Sequence, residues 1–309
     1  MELKNQLIMI SRLIIILLCL VLNSCGKMNR EKIVDKAELT GDDYRLFQNT
    51  PVWELAKAVQ DEDEKKINEI IIKDPKLINY QEPKFGNTLL MLTIMNQQIK
   101  PFRYLLEKKA DVNIHNNYEG TSALIEAASF KQYDTEFAEI LLQYGANVND
   151  IQTEKTEPNK VKSVLMKAAK TGKLDLVELL VKNGASVNYQ NEYGQSALSE
   201  SLMVRKYKVS YYLLQNGADY ERPIFYRPDY SIPVENQDPN DKGKPMYLVD
   251  VLREAFLDFD TDEYKYKMKI VDFLKSKGID YRASPIPDYI KKKAQEEYPN
   301  NWKEYLEKY

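Results

Sequence analysis

The chain has 309 residues, with 44 basic and 47 acidic side chains and a formal net charge of −3. Nothing in this balance indicates binding to nucleic acid, because proteins that bind nucleic acid usually carry a basic face. The only cysteines are Cys19 and Cys25, and the only histidine is His115. This composition excludes a zinc site built from several cysteine and histidine ligands.

The first 24 residues have the organisation of a secretory leader. Lys4 and Arg12 supply positive charge, and residues 13–22 form an unbroken apolar run. A run of this length is about half of what a helix needs to cross a bilayer. We therefore expect a cleaved leader rather than a permanent transmembrane helix.

The leader ends in Leu-Asn-Ser-Cys at residues 22–25, which resembles the lipobox of bacterial lipoproteins. The alternative is an ordinary leader with a chance cysteine. The resemblance implies a signal peptide over residues 1–24, acylation of Cys25 and a polar tether over residues 25–42. Several acyl chains make a durable anchor. Because Gly26 follows the cysteine, the resemblance favours a location at the outer membrane, facing the periplasm.

One four-residue phrase returns along the chain at nearly constant spacing. It reads Ala-Asp-Val-Asn, Ala-Asn-Val-Asn, Ala-Ser-Val-Asn and Ala-Asp-Tyr-Glu at residues 110–113, 146–149, 185–188 and 218–221. Successive phrases end 36, 39 and 33 residues apart. This spacing is typical of stacked repeats, because a single helix pair of that size cannot bury its apolar face alone.

Each phrase follows an apolar helical pattern. Before the third phrase, Leu176, Leu179 and Leu180 fall on one helical stripe. Gly184 then stands where the end of a helix favours the left-handed conformation. The sequence therefore predicts a helix that ends just before each phrase.

A second element precedes each phrase and places an apolar helix start after a small polar residue. It occupies residues 86–91, 120–125, 163–169 and 194–199. Together the two elements resemble the ankyrin repeat, a turn followed by two helices. The resemblance implies an all-α helical solenoid over residues 43–282, with five repeats from about residue 50 to 221 and a degenerate sixth from 244 to 282. Residues 283–309 are expected to form a helical C-terminal cap.

The repeats depart from the family pattern at one position. No repeat has the histidine that closes the T-P-L-H tetrapeptide of the family; the residues found there are Trp53, Met91, Ile125, Met166 and Ser199. That histidine helps to join neighbouring ankyrin repeats by hydrogen bonds. We therefore expect apolar packing to contribute more of the contact between repeats here.

Two insertions interrupt the array. Residues 150–162 lengthen one interrepeat loop, either as a projecting recognition loop or as a solvated insertion of little entropic cost. Residues 222–244 combine several prolines with aromatic residues, which disordered linkers usually lack. This second loop is expected either to fold back on the array or to bind a partner.

Ankyrin proteins bind other proteins through their inner helices and the loops between repeats, called fingers. Tyrosine is used 22 times, and exposed tyrosines are favoured at interfaces. Our candidates for partner contact lie on two fingers and in the proline-rich loop: Tyr118, Tyr189, Tyr193, Phe225, Tyr226 and Tyr230.

Residues that would support catalysis or cofactor binding are scarce. His115 has no recognisable nucleophile motif around it, and no glycine-rich phosphate loop occurs. The acidic run at residues 61–64 lacks the alternating ligands of a calcium loop. We expect no cofactor and no enzymatic activity.

The resulting expectation is a lipid-anchored, extracytoplasmic solenoid that binds a protein partner. One alternative is an immunity-type inhibitor of a toxin delivered into the envelope. A less favoured alternative is an enzyme whose catalytic carboxylates lie unrecognised in the irregular C-terminal third.

Overall fold

The computed structural model describes residues 30–153, 161–229 and 243–309. Within these residues the chain forms fourteen α-helices, several short 3-10 turns and one two-stranded sheet. Ten helices form the five predicted pairs: α1 Trp53–Gln60 with α2 Glu64–Lys73, α3 Leu89–Met95 with α4 Ile99–Glu107, α5 Ala123–Ser129 with α6 Thr135–Gln143, α7 Val164–Thr171 with α8 Leu174–Lys182, and α9 Ala197–Met203 with α10 Tyr207–Gln215. The predicted helical repeat solenoid is confirmed.

The first helix of most pairs begins at a hydroxyl cap. The side-chain oxygen accepts a hydrogen bond from the backbone N–H three residues later, which satisfies a donor that the helix itself cannot use. These caps are Thr88, Ser122, Ser163 and Ser196. They occupy the second recurring element of the sequence, so that element marks where each first helix starts.

Glycines mark the ends of several second helices. Gly184 follows α8 with φ of +89°, a conformation that glycine adopts without steric cost. Its backbone N–H donates to the carbonyl of Val181 at 3.0 Å. The glycine therefore ends the helix and directs the chain into the recurring phrase.

The helix pairs share one continuous apolar core that runs from Tyr44 to Tyr281. In α8 the stripe of Leu176, Val177 and Leu180 is fully buried, and Leu179 is half-buried beside it. Because each pair contributes one layer of this core, removal of a layer would expose the faces of both neighbours.

Asparagines at the ends of the phrases join consecutive repeats. The side chain of Asn113 accepts a hydrogen bond from the N–H of Asn147 at 3.1 Å, and that of Asn188 accepts one from the N–H of Asp219 at 2.8 Å. Asn79 contacts the N–H of Asp111 in the same way at 2.9 Å. Side-chain amides therefore join the repeats in addition to the apolar packing that the sequence led us to expect there.

A small sheet precedes the sixth pair. Strand β1, Phe225–Arg227, pairs antiparallel with β2, Lys244–Met246. The helices that follow are α11 Leu248–Arg253 and α12 Asp262–Ser276. The sequence did not predict this sheet, which brings together the two ends of the predicted loop 222–244.

The C-terminal helices are α13, Asp288–Glu297, and α14, Trp302–Lys308. Ile290, Ala294 and Tyr305 form a small apolar cluster of their own with Tyr309. The Tyr309 hydroxyl donates to the carbonyl of Arg253 in α11 at 2.5 Å. These two helices therefore close the end of the sixth pair.

The predicted polar tether needs a correction from residue 30 onward. Arg30 binds the carboxylate of Asp61 through two hydrogen bonds, of 2.7 and 2.9 Å. The Lys84 ammonium donates to the carbonyls of Ala37 and Leu39, both at 2.8 Å. Residues 30–42 therefore lie against the start of the array instead of extending from it.

The predicted signal peptide, Cys25 and the first residues of the predicted tether lie outside the described residues. Across the described ranges, no helix combines the length and the apolar composition needed to cross a membrane.

Candidate functional site

A groove of about 670 Å³ lies between three fingers and the first helices of the second to fourth pairs. The fingers contribute Phe85, Asn116, Tyr118, Glu119 and Gln152. The side chains from helices α3, α5 and α7 and their ends are Met95, Glu126, Ser129, Phe130, Tyr133, Lys167 and Lys170. Its surface thus combines aromatic rings with charged groups.

A buried carboxylate fixes the finger at residues 80–87. Glu82 is fully buried and accepts hydrogen bonds from the backbone N–H groups of Lys84 at 2.6 Å, Phe85 at 2.8 Å and Asn87 at 3.1 Å. Gly86 has φ of +77°, and a Cβ there would lie 2.6 Å from the backbone nitrogen of Asn117. This finger is therefore held rigidly against the next one.

The next finger, residues 114–121, presents Tyr118. The Asn116 side chain accepts hydrogen bonds from the N–H groups of Glu119 at 3.1 Å and Thr121 at 3.0 Å. Tyr118 is 62% exposed, and its ring meets the ring of Phe85 edge to face with centroids 5.5 Å apart. An exposed aromatic ring on a fixed loop loses little entropy when it binds.

The wall of the groove is a second aromatic pair at the end of α5. Phe130 is 45% exposed, and the centroid of its ring lies 5.2 Å from that of the buried Tyr133 ring. The Tyr133 hydroxyl donates to the Glu126 carboxylate at 3.2 Å. Burial raises the pKa of Glu126 to about 7 and outweighs the hydrogen bond from Tyr133, which lowers it.

The other predicted contact residues lie away from this groove. Tyr193 is 55% exposed on the finger at residues 189–195, where the Asn191 side chain accepts its backbone N–H at 3.1 Å. Tyr189 is half-buried against the core, and burial raises its pKa. The structure therefore does not gather the predicted tyrosines into one surface.

The two candidates of the proline-rich loop that the structure describes belong to β1. Phe225 is half-buried and packs against the core, whereas the Tyr226 side chain is about one-third exposed. The N–H of neighbouring Ile224 donates to the Met246 carbonyl at 2.8 Å. This end of the loop is folded onto the array. Tyr230 lies outside the described residues.

Several groove residues were missed by the sequence analysis, notably Phe85, Phe130, Tyr133 and Lys167. Phe85 precedes the glycine of a recurring element, as Tyr193 precedes Gly194, and this equivalence of position was an available signal. Phe130 and Tyr133 carry no comparable signal, because they follow a first helix in only one repeat.

His115 is paired with a carboxylate side chain. Its Nε2 lies 3.0 Å from a carboxylate oxygen of Asp150, which also accepts the N–H of Ile151 at 3.0 Å. Within the part of the chain that the structure describes, no three histidine, cysteine or carboxylate side chains are grouped as metal ligands would be.

Comparison with protein families identifies the repeats. The family model described as "Ankyrin repeats (3 copies)" matches residues 55–152 and again 150–223. The chain belongs to the ankyrin repeat family. Ankyrin repeats generally mediate protein–protein interaction, and the two matched ranges include the three fingers of the groove.

Individual relatives share this family at low identity. The chain is 26% identical over 202 residues to the Caenorhabditis elegans "Ankyrin repeat and KH domain-containing protein mask-1". This match covers 56% of this chain and 7% of the nematode protein. It is 29% identical over 118 residues to "Putative ankyrin repeat protein R664" of Acanthamoeba polyphaga mimivirus, covering 38% of this chain and 64% of the viral one. The chain thus spans less than two thirds of either relative.

Proposed function

We propose that this ankyrin repeat protein binds a partner protein in the groove beside Tyr118 and Phe130. The observation that carries this proposal is the exposure of two aromatic side chains on rigid supports, one on a finger and one at the end of α5. Binding energy at interfaces is concentrated in such aromatic side chains when they meet a pocket of the partner.

Capture of the partner tests this proposal. The full-length protein, with an affinity tag, is crosslinked in its own cells, and the proteins recovered with it are identified by mass spectrometry. The groove variant combines Tyr118→Ala with Phe130→Ala. The matched control combines Ile72→Ala with Tyr144→Ala, which removes two exposed apolar side chains outside the groove.

We expect a partner that the wild type and the control recover equally and that the groove variant does not recover. Recovery of the same partner by the groove variant would place binding elsewhere. If the partner is a toxin, a toxicity assay tests whether the protein is an immunity-type inhibitor. In that case the wild type should protect cells from the toxin, and the groove variant should not.

We further propose that the protein is attached to a bacterial membrane by lipid on Cys25, on the extracytoplasmic side. The supporting observation is the Leu-Asn-Ser-Cys sequence that ends the apolar run. Cys25→Ser should abolish incorporation of labelled palmitate and release the protein from membranes. Cys19→Ser is the matched control and should keep both properties, because Cys19 lies within the removed leader.

Lipid at Cys25 would also restrict where the array stands. Arg30 is bound to Asp61 of the first pair, and five residues of chain reach at most about 18 Å. An anchored array would therefore hold its first repeat close to the bilayer, with the groove of the second to fourth pairs beyond it.

A further inference from the structure

The charged groups of the groove are distributed unevenly along the array. The lysines that line it all come from the end of the third finger and from α7: Lys162, Lys167 and Lys170. The carboxylates come from earlier parts of the chain: Asp42, Glu119 and Glu126. A ligand that lies along the groove would thus meet ammonium groups at the fourth repeat.

Two of these lysines are available to a ligand and one is not. The Lys162 ammonium lies 2.8 Å from the buried carboxylate of Glu200 and forms an ion pair with it. Within the described part of the chain, neither Lys167 nor Lys170 forms an ion pair. Lys167 is half-buried, and burial lowers its pKa.

The two carboxylates that interact with the Lys167 ammonium, Glu119 and Glu126, compensate its charge poorly. Glu126 is largely buried and, because burial raises its pKa to about 7, it is partly protonated near neutral pH. Glu119 is exposed to solvent, which weakens its interaction with Lys167. A half-buried cation without a paired anion is a costly arrangement, and an incoming carboxylate would relieve that cost.

We propose that the groove selects a partner segment that carries an aspartate or glutamate next to an aromatic or aliphatic residue. The carboxylate binds the ammonium groups of Lys167 and Lys170. The apolar side chain packs against the rings of Phe85, Tyr118 and Phe130. This inference rests on the proposed function, since it names the chemistry of the segment that the groove accepts.

The two contacts have different roles. Apolar contact with the rings removes hydrocarbon surface from water and supplies most of the affinity. The ion pair at Lys167 supplies selectivity, because a neutral or basic residue in the same place would leave the ammonium desolvated and unpaired. Acidic segments should therefore be preferred over neutral ones of the same shape.

Selection from random peptides tests the inference without a known partner. Full-length protein is used to select from a displayed library of random twelve-residue peptides at pH 7.5. The affinities of the selected peptides are then measured by titration. The protein variants are Lys167→Glu, with Lys182→Glu as the control that reverses an exposed charge of α8 outside the groove. Melting curves verify that each variant is folded.

We expect selected peptides to share an acidic residue beside an apolar one. Replacing that acidic residue with its amide in the peptide should weaken binding about tenfold, and this measurement needs no change in the protein. Lys167→Glu should weaken binding at least as much, and a peptide with lysine at the acidic position should regain affinity for that variant. Lys182→Glu should leave every affinity unchanged.

Failure of this inference is distinguishable from failure of the proposed function. Peptides that lose affinity with Tyr118→Ala and Phe130→Ala but tolerate the amide substitution would overturn the acidic preference and leave the groove as a binding site. Peptides that bind equally well to the Tyr118→Ala and Phe130→Ala variants would overturn both.

Discussion

The Asn149 side chain accepts a hydrogen bond from the backbone N–H of Ser186 at 2.7 Å, and so joins the third repeat to the fourth. Its amide nitrogen also donates to the carbonyl of Gly184 at 3.2 Å. A single side chain thus satisfies a donor and an acceptor of the next repeat. Asn113 and Asn188 make the same pair of contacts one repeat earlier and one repeat later.

Replacement of this side chain should weaken the coupling between repeats. Asn149→Ala removes both contacts and should lower the free energy of unfolding by about 1–2 kcal/mol, since each hydrogen bond contributes about 1 kcal/mol net. The measurement is urea denaturation followed by circular dichroism. A broader transition is also expected, because the cooperativity of a repeat array depends on the contacts between neighbours.

Asn183→Ala is the control for this change. Its amide donates to the carbonyl of Leu179 within the same repeat, at 2.8 Å. We therefore expect a smaller loss of stability and no broadening. If both variants behave alike, the asparagines do not couple the repeats.

The burial of the α8 stripe gives a second prediction. Leu180→Ala should reduce the free energy of unfolding by about 2–5 kcal/mol, because the side chain is fully buried and its removal leaves a cavity between layers. Leu179→Ala should cost roughly half as much or less, since Leu179 is half-buried. Thermal or urea unfolding of both variants measures the difference. Equal losses would mean that α8 is rotated relative to the register described.

Much of the fold could be predicted from the sequence because its signals are local and recur. The Ala-x-Val-Asn phrase, the glycine before it and the hydroxyl cap of each first helix act within a few residues, so Ser163 and Gly184 have the roles that their positions indicate. Periodicity then relates one pair to the next. The helix pairs and their order therefore followed without any knowledge of long-range contacts.

The groove could not be predicted in the same way, because its residues come together only through stacking. Phe85 and Tyr118 meet across two fingers, 33 positions apart in the chain. How well the charge of Lys167 is compensated depends on its burial and on the partial protonation of Glu126. Neither property is visible in a pattern of residue types. Exposed tyrosines were a usable signal for Tyr118 alone within this groove.

The pKa of Glu126 predicts a dependence of stability on pH. Its ordinary pKa of about 4.5 is raised to about 7 by burial in the folded protein. A raised pKa in the folded state gives stability that is fully present below pH 4.5 and is lost as the pH rises through 7. The full loss is on the order of 3 kcal/mol.

Glu126→Gln isolates this contribution, because the amide keeps the size of the side chain and an oxygen for the Tyr133 hydroxyl. Its free energy of unfolding, compared with the wild type by urea denaturation from pH 4.5 to 8, should rise relative to the wild type across that range. Parallel pH profiles for the two proteins would show that the carboxyl is ionised in the folded state without cost.

A buried ammonium in the sixth pair gives the opposite dependence. Lys267 of α12 is fully buried, with its Nζ 3.7 Å from the centre of the Tyr309 ring and 5.6 Å from that of Tyr281. Arg253 of α11 is also buried and faces Lys267, with its guanidinium carbon Cζ 4.0 Å from the centre of the Tyr281 ring. Desolvation, with a smaller effect of the Arg253 charge, lowers the pKa of Lys267 to about 7.

A pKa that is lowered in the folded state gives stability that is present above the ordinary value of about 10.5 and is lost as the pH falls towards 7. Lys267→Met keeps an unbranched apolar stem and removes the charge, and such replacements of buried charges are often stabilising. We expect the variant to gain stability relative to the wild type at pH 6 and to lose that advantage progressively towards pH 10.

Urea denaturation at intervals of one pH unit measures this, with Lys277→Met as the control at an exposed lysine just after α12. A constant difference between wild type and Lys267→Met at all pH values would mean that Lys267 keeps its proton throughout, stabilised by the two tyrosine rings.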